Sequence, residues 1–439
     1  MQKFLHLYTK QYNIVAWGCP RKETVYLSSS NRGDLIMKEN WKIKTSWKKI
    51  YPGENASFYN PAVGERLFWI SFILYLGINV WSTTMFPKCG VISKTCKLIF
   101  LACMGAKTLL YSQYSLKEWL LIFLSGGCVL GNLYETHYQE PLMWLVLIVS
   151  SQNISFRKIL KVYVLVTGGI CVLAFAASMM GIIENLQYET WNRGIRNSFG
   201  IIYPTDCAAH VFFLMVSLFY LLGERIRVIH CAAGIVVGFL VYHFCKARVD
   251  SACMIITAVL FWIGNLLEKE ENEGKRYFGI WRKLWETLGA FVMPALAALS
   301  IALTAAYQFG SEFWEHCDGT LLARLQFGKR AFTEYGIKVF GQNIKMVGNG
   351  KSLELEGDYF FLDCSYVNIL MTWGTLLLVI ILLLFWYACW KKRKDLYFQY
   401  AVAIIAVNCV IAHHLMEIPY NLFILAAVAA GMDMNSEAS

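Results

Sequence analysis

Long apolar runs separated by short polar segments make up the chain from residue 67 to its end. A helix needs about 20 predominantly apolar residues to cross the hydrocarbon core of a bilayer. The pattern therefore predicts an all-α polytopic membrane protein with about 12 transmembrane helices, or ten to twelve because the second, fourth and last runs are weak. The predicted spans are approximately Leu67 to Thr84, Leu98 to Tyr111, Trp119 to Leu133, Leu142 to Ser151, Val162 to Ile182, Thr205 to Gly223, Val228 to Phe244, Asp250 to Leu267, Thr287 to Gln308, Cys364 to Trp390, Phe398 to Ile418 and Asn421 to Met432.

Lysine and arginine clusters fall on one side of the membrane once these spans are counted off. Short cytoplasmic segments carry such an excess, so the pattern predicts a plasma-membrane protein with both termini in the cytoplasm. Residues 184–204 and 309–363 then form two long outer loops. The clusters are Arg157, Lys158 and Lys161, then Arg225 and Arg227, then Lys275, Arg276, Arg282 and Lys283, and finally Lys391, Lys392, Arg393 and Lys394.

The net charge of +10 does not indicate nucleic-acid binding in a chain that is 57% hydrophobic. The basic excess lies beside apolar spans, where it sets orientation and meets anionic lipid. The 14 cysteines contain no Cys-x-x-Cys pair and are interpreted as small buried hydrophobes. Cys89 and Cys96 share one predicted outer segment, where either a disulfide or two unrelated thiols would fit. No phosphate-binding loop motif for a nucleotide is present.

Residues 1–66 form a polar cytoplasmic segment ahead of the membrane domain, residues 67–439. The segment lacks the charged, apolar and small-residue succession of a cleaved signal peptide. Residues 32–34 are compatible with a purine-rich ribosome-binding stretch in the coding DNA, and Met37 follows at a suitable distance. We hypothesise that translation starts at Met37, which the codons of this stretch would test.

A helical pattern in the second outer loop singles out one arginine. Residues 321–335 have helical periodicity, and Arg324 falls on the apolar face with Gly328, Phe332 and Tyr335, opposite Lys329. A guanidinium among apolar side chains needs an anionic partner. That partner is either a ligand anion or, in a purely structural role, the carboxylate of Asp363 or Glu417.

Two more arginines are predicted to lie at the same membrane face. Arg196 precedes the sixth span, where it is either an interfacial anchor or a ligand contact. Arg248 lies in a very short outer turn and has Asp250 as an alternative partner. Three planar guanidinium groups on one face are suited to bidentate phosphate binding.

Two pairs of ionisable residues are spaced four apart, as on one helical face. They are Asp206 with His210 and His413 with Glu417, and His414 adjoins the second pair on another face. Each pair fits either a general base with its orienting partner or a polar contact between helices. No local cluster has convincing metal-ligand spacing, so no metal is predicted.

The order of several short motifs resembles that of a known family. The motifs are Arg-Asn-Ser-Phe-Gly at 196–200, Lys-Ala-Arg at 246–248, Ala-Arg-Leu-Gln-Phe-Gly-Lys-Arg-Ala-Phe at 323–332, Tyr-Gly-Ile-Lys-Val-Phe-Gly-Gln at 335–342, Asp-Cys-Ser-Tyr-Val-Asn-Ile-Leu at 363–370, and Glu417 near Asn421. From roughly Leu67 to the end, the chain resembles the Wzy-type polysaccharide polymerases of the O-antigen polymerase and ligase superfamily. It departs from them at Tyr203, where many relatives have histidine, and at Lys-Ala-Arg, where Ser-Arg is common.

The resemblance implies a membrane glycosyltransferase of polysaccharide biosynthesis. Such an enzyme transfers a growing glycan from undecaprenyl diphosphate onto the next lipid-linked repeat unit at the outer face of the membrane, with no cofactor and no metal. Membrane lipid, the lipid-linked oligosaccharide, a chain-length regulator and a flippase are its implied partners.

The resemblance also implies roles for individual residues. Arg196, Arg248 and Arg324 would bind the diphosphate, and Arg324 would also be catalytic. Tyr366, Asp206 and His210 would shape the substrate site. The proton of the attacking hydroxyl would pass to a base among Asp363, His413, His414 and Glu417.

Two other functions remain open at this point. The related ligases use the same donor with a different acceptor. A flippase for lipid-linked sugars is a transporter alternative, although charged residues apart from Lys107 are scarce inside the predicted spans.

Overall fold

The computed structural model describes residues 60–190, 194–272, 279–321, 323–348, 350 and 358–430. The predicted polar segment and its Met37 lie almost wholly outside these residues. The helices are α1 (Pro61–Ser82), α2 (Gly90–Leu110), α3 (Leu116–Thr136), α4 (Glu140–Ser150), α5 (Phe156–Met179), α6 (Pro204–Leu222), α7 (Val228–Cys245), α8 (Arg248–Asn272), α9 (Gly279–Leu288), α10 (Val292–Ala306), α11 (Glu312–Thr320), α12 (Arg324–Tyr335), α13 (Ser365–Thr372), α14 (Thr375–Lys391) and α15 (Leu396–Asn408).

Seven helical segments within the described residues are long and apolar enough to cross a membrane. They are Pro61–Ser82, Leu116–Thr136, Phe156–Met179, Pro204–Arg225, Val228–Cys245, Arg248–Lys269 and Gly279–Ala306. Three shorter apolar helices, α4, α14 and α15, accompany them. The chain therefore has the composition and helices of an all-α membrane protein, while the count of 12 spans and the outer position of residues 309–363 stay predictions.

The last two predicted spans differ from the observed helices. The eleventh was expected to run to Ile418, but α15 ends at Asn408. In place of the twelfth, a 3-10 turn covers Phe423–Ala427. Apolar composition alone predicted helix here, whereas one side chain of the segment itself and one of α5 bind its backbone. Asn421 donates to the Leu415 carbonyl, and Tyr163 donates to that of Tyr420.

The tenth predicted span is broken into α13 and α14 at Gly374. Gly374 has φ 93°, and a Cβ there would lie 2.3 Å from the Gly341 nitrogen. Only glycine adopts this conformation without strain and allows this approach. The Asn132 amide donates to the carbonyls of Phe340, Thr372 and Trp373, so one side chain of α3 satisfies the backbone that the break exposes.

Residues 338–342 are hydrogen-bonded to the same break. Thr375 and Leu376 donate to the Lys338 and Val339 carbonyls, and Gln342 donates to that of Thr372. The beginning of the long segment after α12 is thus built into the helix bundle.

A small sheet was not expected in an all-α chain. Strand β1 (Gln187–Thr190) pairs antiparallel with β2 (Gly194–Asn197), and Tyr188 lies opposite Arg196. The hairpin stands between α5 and α6, in one of the two long segments predicted to be outer loops.

The helix predicted around Arg324 is confirmed as α12, with a later start. Ala323 has φ 64°, which ends regular helix geometry before Arg324. The Asp318 carboxylate caps the helix by accepting from the backbone nitrogens of Leu325 and Gln326 at 2.8 and 3.0 Å. Leu325, Gly328 and Ala331 are buried, so Arg324 does begin the face that packs on the bundle.

Buried tyrosines mark the core of the bundle. Tyr163, Tyr220, Tyr366, Tyr400 and Tyr420 are almost wholly buried. The Tyr366 hydroxyl donates to the Ala406 carbonyl of α15 at 2.8 Å. This bond joins α13 to α15 three residues after Asp363.

Candidate functional site

Six ionisable side chains from four separated parts of the chain follow one another in a line. Arg324 Nη2 lies 3.0 Å from Asp363 Oδ2, and Asp363 Oδ1 lies 3.8 Å from His413 Nδ1. The line continues through Glu417 and His414 and ends at Asp206. We call these residues the carboxylate–imidazole line. Its end of the bundle, which also contains Arg324 and Asp363 of the second predicted outer loop, is called the loop end.

Glu417 lies at the centre of the carboxylate–imidazole line and holds both histidines. Its Oε1 is 3.3 Å from His413 Nε2, and its Oε2 is 3.1 Å from His414 Nδ1. The two longer separations, 3.8 Å from His413 to Asp363 and 3.8 Å from His414 to Asp206, exceed hydrogen-bond distance. The line therefore contains one bonded group of three residues with a gap on each side.

The histidines follow α15 rather than lying on it, and their backbone is held by α13. Ser365 Oγ donates to the Ala412 carbonyl at 2.6 Å and accepts from Leu415 N at 3.1 Å. One hydroxyl thus binds the chain on both sides of His413 and His414. From α4, Trp144 Nε1 donates to the Met416 carbonyl at 2.7 Å.

Burial changes the proton affinity of this segment. It lowers the pKa of His414 to about 3. Burial, together with the neighbouring His414, lowers the pKa of His413 to about 4. Both rings are therefore neutral at pH 7, and their contacts with Glu417 are hydrogen bonds of neutral imidazoles. His413 is the more accessible ring, with 22% of its side chain exposed against 3% for His414.

The carboxylates of the line are shifted by the same cause. Burial raises the pKa of Asp363, and the Arg324 guanidinium and Tyr359 counteract part of that shift. Burial also raises the pKa of Glu417, and His413 opposes it. A pocket that disfavours charge in this way holds its ionised groups by pairing them.

Arg324 adopts the structural alternative considered for it, an ion pair with Asp363. Its Nε also donates to the Ile411 carbonyl at 3.3 Å. The guanidinium group of Arg324 thus links α12 to the residues just before His413. The pairing does not decide between an architectural and a catalytic role, so the catalytic role stays a prediction.

Arg196 is the more buried arginine, with 7% of its surface exposed. Its Nε donates to the Cys245 carbonyl at 3.2 Å and its Nη1 to the Tyr203 hydroxyl at 3.3 Å. Its Nη2 is buried and finds no acceptor among the residues that the structure describes. A guanidinium nitrogen in this state is ready to bind an anion.

Two tyrosines connect the surroundings of Arg196 with those of Arg324. Tyr203 is the partner of Arg196, and Tyr359 donates to Asp363 Oδ2 at 3.5 Å. Both Tyr203 and Arg324 lie within electrostatic range of Tyr359. Sequence patterns did not single out Tyr359, although it opens an aromatic run, residues 359–361, shortly before Asp363.

Arg248 is not brought into this group. It is exposed at the first position of α8, and no contact in the described part of the chain joins it to the carboxylate–imidazole line. Its alternative partner Asp250 accepts instead from Asn408 at 2.9 Å.

His210 and Tyr366 lie beside the line rather than in it. The Thr83 hydroxyl donates its hydrogen to the Val80 carbonyl. Its oxygen therefore accepts from His210 Nε2, at 2.8 Å. The expected neighbour of His210, Asp206, faces His414. Tyr366 is wholly buried and bonded to Ala406, so it positions α13 without reaching the line.

Within the part of the chain that the structure describes, Asp206, His413 and His414 form a group that could hold a metal ion. One ligand atom from each lies within 4.8 Å of the others. The prediction of no metal was based on the spacing of residues close together in the chain. Asp206 lies on α6, far from the histidines in the sequence, so local spacing could not have indicated this group.

Comparison with known proteins does not assign this site. Neither family models, nor curated proteins, nor solved structures match the chain.

Proposed function

We propose that this protein is a membrane glycosyltransferase that polymerises lipid-linked repeat units, using an isoprenoid diphosphate such as undecaprenyl diphosphate as the leaving group. Transfer would take place at the outer face of the plasma membrane, without a cofactor or an activating metal. The observation that carries the proposal is the accessible neutral His413, held by Glu417 and adjacent to the Arg324–Asp363 pair. This arrangement places a proton acceptor beside a guanidinium.

The reaction requires a proton acceptor for the attacking hydroxyl and a positive charge beside the leaving group, which His413 and Arg324 respectively would provide. An acceptor sugar hydroxyl attacks the anomeric carbon of the donor glycan, and its proton passes to His413. The bond from the anomeric carbon to the diphosphate breaks, and the electron pair leaves with the diphosphate. Glu417 orients the imidazole that becomes positively charged, as in other base and carboxylate pairs.

The negative charge that develops on the leaving group needs prepositioned cations. Arg324 supplies one, and the free Nη2 of Arg196 supplies a second donor. Tyr203, which contacts Arg196, and Tyr359, which contacts Asp363, each add a hydroxyl group near these arginines. Arg248, exposed at the edge of the loop end, is assigned at most an outer contact with the substrate.

Polymerisation is favoured over transport because ionisable groups meet at one end of the bundle. Lys107, the cation predicted inside a span, donates to the Gln152 carbonyl and the Ser112 hydroxyl at the opposite end. A flippase is expected to carry its charged residues along a central path.

The test uses purified full-length protein in nanodiscs with synthetic repeat units linked to a polyprenyl diphosphate. With excess chelator and no nucleotide sugar, the expected product is a ladder of longer lipid-linked glycans. Arg196→Gln should weaken donor use about tenfold or more, because a charged hydrogen-bond donor to the diphosphate is lost.

Three results would contradict the proposal in different ways. Transfer of a single unit to another acceptor, without a ladder, would assign the protein to the ligases. Movement of intact lipid-linked units across liposomes, with no new glycosidic bond, would assign it to the flippases. A ladder that disappears with chelator would replace the metal-free mechanism.

A further inference from the structure

The gap between His414 and Asp206 has the dimensions of a metal site. His414 Nε2 and Asp206 Oδ1 are 3.8 Å apart, too far for a hydrogen bond. Two ligands of a tetrahedral Zn²⁺ ion, each about 2.0–2.1 Å from the metal, are separated by about 3.3 Å. The observed gap is therefore close to the separation that two ligands of one ion require.

The hydrogen bonds around this gap orient the histidines as metal ligands. When Nδ1–H of His414 donates to Glu417 at 3.1 Å, its Nε2 presents a lone pair toward Asp206. Glu417 also contacts His413 Nε2 at 3.3 Å. When Nε2–H of this neutral ring donates to Glu417, Nδ1 keeps the lone pair that can bind a metal ion. Carboxylates that bind the far nitrogen of a ligand histidine are typical of zinc sites.

The donor set selects the class of ion. Two imidazoles and one carboxylate suit borderline-soft ions such as Zn²⁺, whereas Mg²⁺ and Ca²⁺ prefer oxygen ligands. Three protein ligands with a position left for water are also the usual composition of an accessible zinc site. His413 gives this site an opening, because part of its ring is exposed.

We propose that Asp206, His413 and His414 bind a divalent ion of the Zn²⁺ class, and that the bound ion inhibits the enzyme. The binding half stands on the geometry alone, whereas the inhibitory half rests on the proposed function. Metal coordination occupies the ring nitrogens and draws the rings toward Asp206. His413 is then unavailable to accept the proton of the acceptor hydroxyl.

Binding is measured first, on full-length protein in detergent or nanodiscs, with Co²⁺ as a spectroscopic probe and Zn²⁺ as competitor. One equivalent of Co²⁺ should give the intense visible absorption of a four-coordinate ion, without the near-ultraviolet band of a thiolate ligand. Zn²⁺ should abolish the spectrum. A weak octahedral spectrum, or a thiolate band, would overturn the site.

Variants then locate the ion. Asp206→Asn and His413→Gln should each weaken Zn²⁺ binding at least tenfold, measured against a chromogenic chelator. Glu417→Gln should weaken it about 10–100-fold by removing the orienting carboxylate. The matched control is His243→Asn, an exposed histidine of α7, which should bind Zn²⁺ like the wild type. Unchanged binding in both Asp206→Asn and His413→Gln, each eluting as a folded protein, would refute the site.

Inhibition is measured in the ladder assay. Zn²⁺ should suppress the ladder, and chelator should restore it. Stimulation by Zn²⁺ would overturn the inhibitory role. A ladder without a four-coordinate Co²⁺ spectrum would remove the site and leave the proposed function intact. The spectrum without any ladder would keep the site and remove the proposed function.

Discussion

The two ends of the helix bundle contain the same basic residue types in opposite settings. At the end opposite the loop end, which we call the basic end, two of the cations bind backbone carbonyls. Lys391 donates to the Ala427 and Ala429 carbonyls, and Arg157 donates to that of Leu221. At the loop end, Arg324 instead pairs with the carboxylate of Asp363. Two histidines and two further carboxylates follow Asp363 in the carboxylate–imidazole line.

The difference indicates that the two ends serve different purposes. A carbonyl has no proton to exchange, so lysines that bind carbonyls stabilise the ends of chain segments. A carboxylate beside an imidazole changes its charge when a proton moves. Mutations at the loop end should therefore change activity more than stability, and those at the basic end should do the reverse.

The largest effect is expected at Arg324. In Arg324→Lys the charge stays, but one ammonium group replaces the planar fork that binds both Asp363 and the Ile411 carbonyl. Polymerisation should fall on the order of 100-fold, measured as ladder formation at equal protein level. Arg330→Lys is the matched control, because Arg330 is half-exposed on the same helix, pairs with its neighbour Glu334 at 2.7 Å and lies over the Phe360 ring, away from the carboxylate–imidazole line. Full activity in Arg324→Lys, or failure of this variant to accumulate, would contradict a catalytic role.

Glu417→Gln is expected to have the next largest effect. Glutamine keeps the shape but replaces one accepting oxygen by an NH₂ group, so it cannot accept from both His413 and His414. The rate of transfer should fall about 10–100-fold, while thermal unfolding should change little. Glu334→Gln on α12 is the control for the same chemical change at an exposed site. A rate equal to the wild type would show that the histidines do not need this carboxylate.

Ser365→Ala should affect both stability and activity. It removes the donor to the Ala412 carbonyl and the acceptor of Leu415 N–H, and unfolding should become easier by about 1–3 kcal/mol. Misplacement of His413 should slow transfer about tenfold. Ser71→Ala is the comparison, because the buried Ser71 hydroxyl donates to carbonyls of its own helix and joins no second element among the described residues. Equal behaviour of the two variants would argue against a positioning role for Ser365.

Lys391→Met is expected to have the smallest effect and to act on stability alone. Methionine keeps the apolar stem but leaves the Ala427 and Ala429 carbonyls without this donor. The melting temperature should decrease by an amount equivalent to about 1 kcal/mol, with transfer at the wild-type rate. A loss of activity without a loss of stability would reverse the distinction between the two ends.

Local patterns predicted the parts of the site that depend on local structure. The apolar face of α12 follows from its periodicity, so the burial of Arg324 near an acidic residue was accessible from the sequence. The contact between His413 and Glu417 was also predicted, although these residues flank a 3-10 turn rather than lying on an α-helix. A pair of residues close in the chain can meet in either conformation.

The remaining contacts could not be predicted because they join distant elements. Asp206 was expected to contact His210. Instead, His210 is hydrogen-bonded to Thr83, and His414, which follows α15, lies nearest to Asp206 in the line. Ser365, which holds those histidines, lies within an apolar run and has no local signal. The early end of α15 likewise depends on partners from α4, α5 and α13, which periodicity does not encode.

The broken helix at Gly374 makes the long segment before α13 a structural member of the bundle rather than an exchangeable module. Residues 338–342 supply the hydrogen-bond partners of the break, and Asn132 supplies the rest. Unpartnered carbonyl and amide groups are not tolerated in a lipid environment. Replacement of residues 309–363 by the corresponding segment of another protein would therefore have to preserve Lys338 to Gln342, or the transmembrane part would lose its own fold along with the loop.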